Sequence, residues 1–248
     1  AIKSIKNSKN VLIEKPGGKN IKDIKNIIKS LKKSKAIVQI GYNHRYHPSI
    51  VLAKNLILKK KIGDLMYIRA RYGHGARINY QKEWRMNKNI SGGGELIDQG
   101  AHIVDLSRSF LGNFKKIKCE LRKYFWKSKT NVDDNAFLIL NTNDNKTAFL
   151  HCSCTEWKNK FSFEIFGEVG KIEISGLGGS YGQEKLIFYK MRKKFGKPNV
   201  KTWKFNNKFD ISWKTEVDSF FYSVKKKIMP ENNIYEALEN MIIINKCY

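Results

Sequence analysis

The stretch Val11-Leu12-Ile13-Glu14-Lys15-Pro16-Gly17-Gly18, read with its sequel Ala36-Ile37-Val38-Gln39-Ile40-Gly41, decides the fold. Each begins as a short apolar run closed by polar or turn residues, the pattern of a buried parallel strand. Between them Asn20 is placed to cap a helix, with Asp23 in its first turn. Ile21, Ile24, Ile27, Ile28 and Leu31 then form one apolar stripe at helical spacing, with lysines on the opposite side. Strand, helix and strand joined by short loops make a βαβ unit, and hence a parallel layer with a crossover helix. Residues from Ala1 to about Asn7 read as the tail of an earlier helix. Both strands end in conspicuous polar residues, Glu14-Lys15-Pro16 and Tyr42-Asn43-His44-Arg45, and ligands gather at such carboxyl ends.

Beyond Pro48 the pattern changes. Ile50 to about Lys61 is helical, and Leu65 to about Tyr72 alternates as a strand does. Arg77–Asn89 has no clear period and reads as a loop of the kind that carries function. Seven strand-like runs follow: Ile117–Phe125, Ala136–Leu140, Lys146–Cys154, Phe161–Phe166, Lys171–Ser175, Lys185–Tyr189 and Val200–Phe205. Strands in series without helices between them imply a large, mostly antiparallel sheet. Two helices close the chain, about Trp213–Lys227 and Ile234–Lys246. The architecture is therefore α/β followed by α+β, a partial parallel layer and then an open-sheet domain, with the boundary near Tyr46–Pro48.

The densest chemistry lies in Ser91-Gly92-Gly93-Gly94-Glu95-Leu96-Ile97-Asp98-Gln99-Gly100-Ala101-His102. Three glycines let a backbone or a ligand approach the start of a helix that runs to Leu111 and stops at Gly112. That helix sets Asp98 and His102 four residues apart on one face, as an acid/base pair or as an ordinary exposed i,i+4 pair. Glu95 reads as structural, a carboxylate favoured by the helix dipole. His44 and His47 read as packing or hydrogen-bonding residues of a turn, and Trp213 as core. Gly176–Gly182 resembles a phosphate loop, but its spacing is wrong and a strand follows it, so it reads as a sheet turn.

The chain has 248 residues, 41% of them hydrophobic and 12% aromatic, enough for a substantial core. No apolar run approaches the ~20 residues of a membrane span, and no signal pattern opens the chain. The formal charge is +26, but the lysines are spread over nearly every segment rather than gathered on one element. This argues against nucleic acid as the main partner. The runs Lys59–Lys61 and Lys225–Lys227 fall at expected helix C-termini, where the dipole favours cations. The four cysteines, Cys119, Cys152, Cys154 and Cys247, show no CxxC or zinc spacing, so no metal is expected and the thiols read as reduced, in a cytoplasmic protein.

Three segments taken in order, Val11–Pro16, Gly41–Pro48 and Gly92–His102, resemble the Gfo/Idh/MocA family of oxidoreductases. Trp84-Arg85, Ile103–Leu106 and Phe110–Gly112 continue the resemblance, which covers essentially the whole chain. It implies a Rossmann-type layer over residues 1–46 and a substrate and oligomerisation domain over 47–248. It also implies an NAD- or NADP-dependent dehydrogenase or reductase acting on a sugar, sugar nucleotide, cyclitol or related alcohol. The family's EKP lysine corresponds to Lys15 and its DxxxH pair to Asp98 and His102. By that resemblance His102 is the general base or acid, Asp98 orients His102 or binds a substrate hydroxyl, and Lys15 stabilises charge on the reacting oxygen. Pro16 fixes the turn that aims Lys15. Glu14, Lys15, Pro16, Asn43, Trp84 and Arg85 correspond to positions that meet the cofactor, with simple core as the alternative for Trp84. A homo-oligomer formed through the open sheet is implied as well.

No GxGxxG occurs in the chain, and the family pattern is entered at the helix before the EKP strand. The expectation is that the amino-terminal part of the nucleotide domain lies outside this sequence. The rival reading, from another class, is a non-catalytic binding or scaffold protein without its nucleotide-binding half.

Overall fold

Hydrogen-bonding requirements and the apolar periods above are met by two sheets and seven helices in a computed structural model describing residues 1–206 and 209–248. The first layer runs α1 (Ile2–Lys6), β1 (Val11–Glu14), α2 (Ile21–Leu31) and β2 (Val38–Gly41). β1 and β2 pair in parallel, Val11 opposite Val38 and Glu14 opposite Gly41. The Asn20 side chain accepts from the Asp23 N–H at 2.9 Å, as its position before the isoleucine stripe requires. β2 is buried throughout, but β1 is only half-buried, against the expectation of two buried strands. Among the described residues this layer consists of β1 and β2.

A 3₁₀ turn at Asn43–Tyr46 leads into α3 (Pro48–Leu58), which starts with proline at a position where no amide is needed. β3 (Leu65–Gly73) is followed by an irregular stretch with 3₁₀ turns at Tyr80–Lys82 and Trp84–Met86 and a short α4 (Lys88–Ser91). A π-helical turn, Leu96–Gly100, then runs directly into α5 (Ala101–Leu111). The remaining strands are β4 (Phe114–Arg122), β5 (Asn135–Thr142), β6 (Thr147–Ser153), β7 (Lys160–Gly167), β8 (Gly170–Ser175), β9 (Lys185–Lys190) and β10 (Asn199–Lys204). They precede α6 (Ser212–Lys226) and α7 (Ile234–Cys247).

The large sheet has eight strands in the order β10-β9-β8-β7-β3-β6-β5-β4. Every neighbouring pair is antiparallel except β3 with β6, so the mostly antiparallel open sheet is as expected. Along β3 the residues Ile68, Ala70 and Tyr72 face the helices, whereas Tyr67, Arg69 and Arg71 face outward. The expected strand Ile117–Phe125 is shifted to Phe114–Arg122. Its last residues are drawn away because the amides of Tyr124, Phe125 and Trp126 donate to the Asp134 carboxylate.

α5 is buried on nearly every side, including Ile103, Val104 and Leu106. Each such aliphatic side chain contributes about 1.5–3 kcal/mol by burial. α5 lies between the sheet, α7 and the 3₁₀ turn at Asn43–Tyr46. Gly112, at φ +86°, ends it in a conformation that L side chains resist. Trp213 is not core, being 49% exposed, because it sits in the first turn of α6 at the mouth of a cavity. Among the described residues no helix is long and apolar enough to cross a membrane.

Candidate active site

The π-helical turn owes its position to the glycines before it. A Cβ on Gly94 would lie 2.1 Å from the Asp133 carbonyl oxygen, and one on Gly92 would lie 2.6 Å from the Lys19 carbonyl oxygen. The backbone-approach reading of the glycine run therefore holds, and what approaches is the protein's own chain. That closeness lets Asp133 cap the turn from a distant loop. Its carboxylate accepts from the amides of Gly94 at 3.1 Å and Leu96 at 2.8 Å, and its carbonyl accepts from Glu95 N–H. Tyr248 completes the clamp, its hydroxyl donating to Asp133 Oδ1 at 2.9 Å and accepting from Gly94 N–H.

Lys15 leaves the end of β1 and reaches this turn. Its Nζ donates to both the Oδ1 and the carbonyl oxygen of Asp98, each at 2.6 Å. Arg85 Nε donates to the other carboxylate oxygen, Oδ2, at 3.1 Å. Burial works against an ionised Asp98, but Lys15 and Arg85 outweigh it and hold its carboxyl below the usual range.

Asp98 spends its oxygens on these two cations and makes no hydrogen bond with His102, although the two were expected to act as a pair. The wider π-helical turn separates what an α-helix would stack. The partner of His102 is His44, whose ring stacks on it at 3.9 Å between centroids with 21° between planes. The two rings have ring nitrogens that are buried and without a hydrogen bond, Nδ1 of His102 and Nε2 of His44. Burial, then the charges of neighbouring histidines and Lys15, pushes both imidazoles well below their ordinary range. Each is therefore neutral near physiological pH.

His44 is held in place from two sides. Its Nδ1 meets Asn43 Oδ1 at 3.0 Å, while Asn43 Nδ2 donates to Ser212 Oγ. Next to it, Arg45 grips Asp105 through two bonds of 2.7 and 2.6 Å, and Asn240 donates to the same carboxylate. Because Asp105 lies three residues after His102, this clamp fixes the 3₁₀ turn against the helix that carries His102. His47, at 5.5 Å from His44, is paired with Glu184.

A cavity of about 280 Å³ opens on these groups, lined by Lys15, Asp98, His102 and His44 among others. Its far wall is the glycine-rich segment read as a plain sheet turn, which brings Leu177, Gly178, Ser180 and Tyr181 to the site. Glu14, Asn43 and Arg85 also line it, as does the exposed Trp213. A second cavity of about 550 Å³ lies on the other side of the Lys15-Pro16 turn. Ile13, Pro16, Trp84 and Ile97 line it, and Glu14, Lys15, Arg85 and Asp98 border both. Trp84 is not core: it is 52% exposed, with the Arg85 guanidinium 4.6 Å from its ring centre.

Glu95 is buried inside rather than set at a solvated helix start. Burial and the carboxylates of Asp98 and Asp133 push it well above the ordinary carboxylate range. His74 Nε2 stands 3.6 Å from it. Reasoning from sequence passed over His44, Tyr181 and Glu95 as site residues. For His44 the available signal was its place at the end of β2, equivalent to that of Lys15 at the end of β1.

A family model described as the GFO/IDH/MocA C-terminal domain matches residues 50–173. Levoglucosan dehydrogenase of Pseudarthrobacter phenanthrenivorans is 28% identical over 123 residues, covering 49% of this chain and 32% of the relative. The trans-1,2-dihydrobenzene-1,2-diol dehydrogenase of Xenopus tropicalis is 26% identical over 214 residues, 86% of this chain and 62% of the relative. The chain thus spans less than two thirds of either curated relative. A solved levoglucosan dehydrogenase in complex with NADH and levoglucosan has the same fold, with a TM-score of 0.88 at 19% identity. It is covered over 74% of its length by 99% of this chain.

Proposed function

The chain belongs to the GFO/IDH/MocA family, and from that premise we propose an NAD(P)-dependent oxidoreductase acting on a sugar-like alcohol or carbonyl, with Lys15, Asp98 and His102 at its reacting centre. The observation that carries the reading is the convergence of these three side chains, from the end of β1 and from the turn before α5, on one cavity. Relatives named as sugar and diol dehydrogenases support the substrate class. On this reading residues 1–46 are the carboxyl-terminal part of a nucleotide-binding layer, and residues 47–248 form the substrate domain. The protein acts in the cytoplasm as a homo-oligomer joined through the open sheet, whose outer face exposes Tyr67 and Phe149.

The residues around the Lys15-Pro16 turn suit the reactive end of a nicotinamide cofactor. The cavity beside Trp84 offers an apolar wall from Ile13, Pro16 and Ile97, with the cations of Lys15 and Arg85 at its edge. Glu14, Lys15, Pro16, Trp84 and Arg85 would hold that end, and Asn43 supports it through His44. When bound, the cofactor supplies or accepts the hydride.

The chain's own residues handle the proton. His102 is neutral near physiological pH and therefore free to accept the substrate hydroxyl proton on its imidazole. Lys15 Nζ donates toward the oxygen that gains negative charge. Asp98, ionised and anchored by Arg85, holds the Lys15 ammonium at that point rather than orienting His102. The burial of His44 and His102 keeps bulk water from competing for the proton.

The test is turnover of a panel of sugars and cyclitols by the full-length protein with NAD⁺ and NADP⁺. His102→Ala should lower turnover by roughly 10²–10⁴-fold with cofactor binding nearly intact. Unchanged turnover in that variant removes His102 from the mechanism, and no redox activity with any panel member overturns the reading.

A further inference from the structure

Two of the four cysteines meet where α7 lies against β4. Ile117, Cys119 and Leu121 alternate on the side of β4 that packs on the core, while Lys118, Glu120 and Arg122 are exposed on the other. Cys119 therefore faces the helices and not the outer side of the sheet. Cys247 is the last residue of α7 and packs on the same core. Both are half-buried free thiols. Among the described residues β4 ends the row of strands, so solvent reaches the pair from the rim of the sheet.

The two thiols are hydrogen-bonded to one another. The Cys247 S–H has the Cys119 sulfur as one acceptor and the Ile243 carbonyl oxygen, at 3.4 Å, as the other. The bond from Cys247 holds the Cys119 thiol below its ordinary range, and burial and the charge of Asp133 oppose it. The same bond, and then burial, pushes Cys247 up. The pair is thus unequal, one sulfur disposed to ionise and the other to keep its proton. Cys152 and Cys154 are fully buried, and burial pushes both up. The thiolate is the reactive form, so attack on an oxidant concentrates on Cys119.

The residue after Cys247 is Tyr248, the clamp on the active-site turn. Its hydroxyl donates to Asp133 Oδ1 at 2.9 Å and accepts from Gly94 N–H at 3.0 Å. That contact has no slack, since a Cβ on Gly93 would collide with the hydroxyl oxygen. Cys119 is fixed by its place opposite Leu138 in the sheet, whereas Cys247 stands at a helix end, where a chain yields more readily. A bond of about 2.05 Å between sulfurs now in non-bonded contact therefore moves Cys247, and Tyr248 with it.

We propose that Cys119 and Cys247 are a peroxide-sensitive pair whose disulfide draws Tyr248 away from the turn carrying Asp98. The Cys119 thiolate attacks a peroxide oxygen and breaks the O–O bond, becoming a sulfenic acid while the rest of the peroxide leaves as water or an alcohol. The Cys247 sulfur then attacks the Cys119 sulfur, gives up its proton and expels hydroxide, which together leave as water. Two thiols are oxidised, one peroxide is reduced, and a thiol reductant reverses the bond. The pairing goes beyond the oxidoreductase reading, and only its effect on turnover rests on it.

The first arm exposes the reduced full-length protein to hydrogen peroxide, then alkylates it under denaturing conditions for peptide mass spectrometry. A crosslink between the Cys119 and Cys247 peptides is expected, with Cys152 and Cys154 still free. A crosslink through Cys152, or oxidation of Cys119 past the sulfenic acid without a crosslink, overturns the proposal. The second arm follows amide hydrogen exchange. The amides of Gly94, Glu95 and Leu96, gathered on Asp133, should exchange roughly tenfold faster in the oxidised protein, as the loss of one hydrogen bond implies. Cys247→Ser should show no such change after peroxide, and Tyr248→Phe should exchange fast before oxidation as well as after it. Unaltered exchange in a fully crosslinked protein overturns the link to Tyr248. The third arm is turnover, which should fall by up to roughly 10²-fold on oxidation, as for a misplacement of about 1 Å, and return with dithiothreitol. Cys247→Ser should keep wild-type turnover through the same treatment. A crosslinked wild type that turns over at the reduced rate overturns the proposal. A reduced protein that turns over no sugar strikes the oxidoreductase reading alone, because the crosslink and the exchange are measured without it.

Discussion

Replacing Lys15 by Met tests the junction between the two halves of the site. Lys15 Nζ makes two bonds of 2.6 Å to Asp98, and the two side chains are only 16% and 19% exposed. The substitution keeps the length of the side chain and removes its charge. It leaves Asp98 ionised in a largely dry place, with Arg85 as its remaining counter-charge at 3.1 Å. A hydrogen bond to a charged group is worth about 1.5–3 kcal/mol. Because Arg85 persists, the net loss of stability should be about 1–3 kcal/mol near neutrality. At roughly 2–4 °C per kcal/mol for a chain of this size, Tm should fall by about 2–12 °C. The pH dependence carries the sign. The Asp98 carboxyl is held below its unfolded value, so its contribution is present above about pH 4 and is lost as pH falls through the folded value. Urea unfolding of wild type and variant should therefore show a constant gap from neutrality down to about pH 5, narrowing below it. A double-mutant cycle with Asp98→Asn should recover a coupling within the same range of about 1–3 kcal/mol. A gap that does not change with pH, or a coupling near zero, would refute Asp98 as the partner of Lys15.

Three further outcomes follow from the same geometry. Glu95→Gln replaces a carboxyl whose protonated form is favoured by burial with a neutral group of like shape. Wild type should lose stability relative to this variant as pH rises from about 4.5 toward the elevated folded value, and a difference that grows in the opposite direction would show Glu95 to be ionised. His44→Phe keeps an aromatic ring over His102 but removes an imidazole whose protonation at low pH opposes that of His102. The acidic limb of the kcat/KM profile should move to higher pH, and an unmoved limb would dissociate the two rings functionally. Gly94→Ala sets a Cβ 2.1 Å from a backbone oxygen that no rotamer can relieve. Circular dichroism melting should show a loss of about 3 kcal/mol or more, and a wild-type melt would mean the turn is laxer than described.

The βαβ unit was legible because each of its elements is specified locally: a cap at Asn20, an isoleucine stripe, and turns at Pro16 and Gly41. The eight-stranded sheet was legible as a series of alternating runs, but the parallel pairing of β3 with β6 is a long-range event that no local period records. Asp98 and His102 stood out through their four-residue spacing and Lys15 through its place after the first strand and the family resemblance, and all three line one cavity. Their pairing did not follow from that spacing, because a four-residue interval implies contact only if the helix is an α-helix, and this turn is π-helical. His44 and Tyr181 were passed over because their role comes from distant packing, one against α5 and the other across the mouth of the sheet. Trp213 shows the reverse error, since a large apolar side chain suggests an interior that the chain denies it.

The Arg45–Asp105–Asn240 knot has a further consequence. It bolts the helix bearing His102 to the turn after β2 and, together with Arg108, to the carboxyl-terminal helix, so His102 sits on a keel that cannot swivel. The turn from Gly178 to Gly182, by contrast, joins strand ends as a wall of the cavity outside this knot. Divergence toward new substrates would be cheapest there, with the keel left alone.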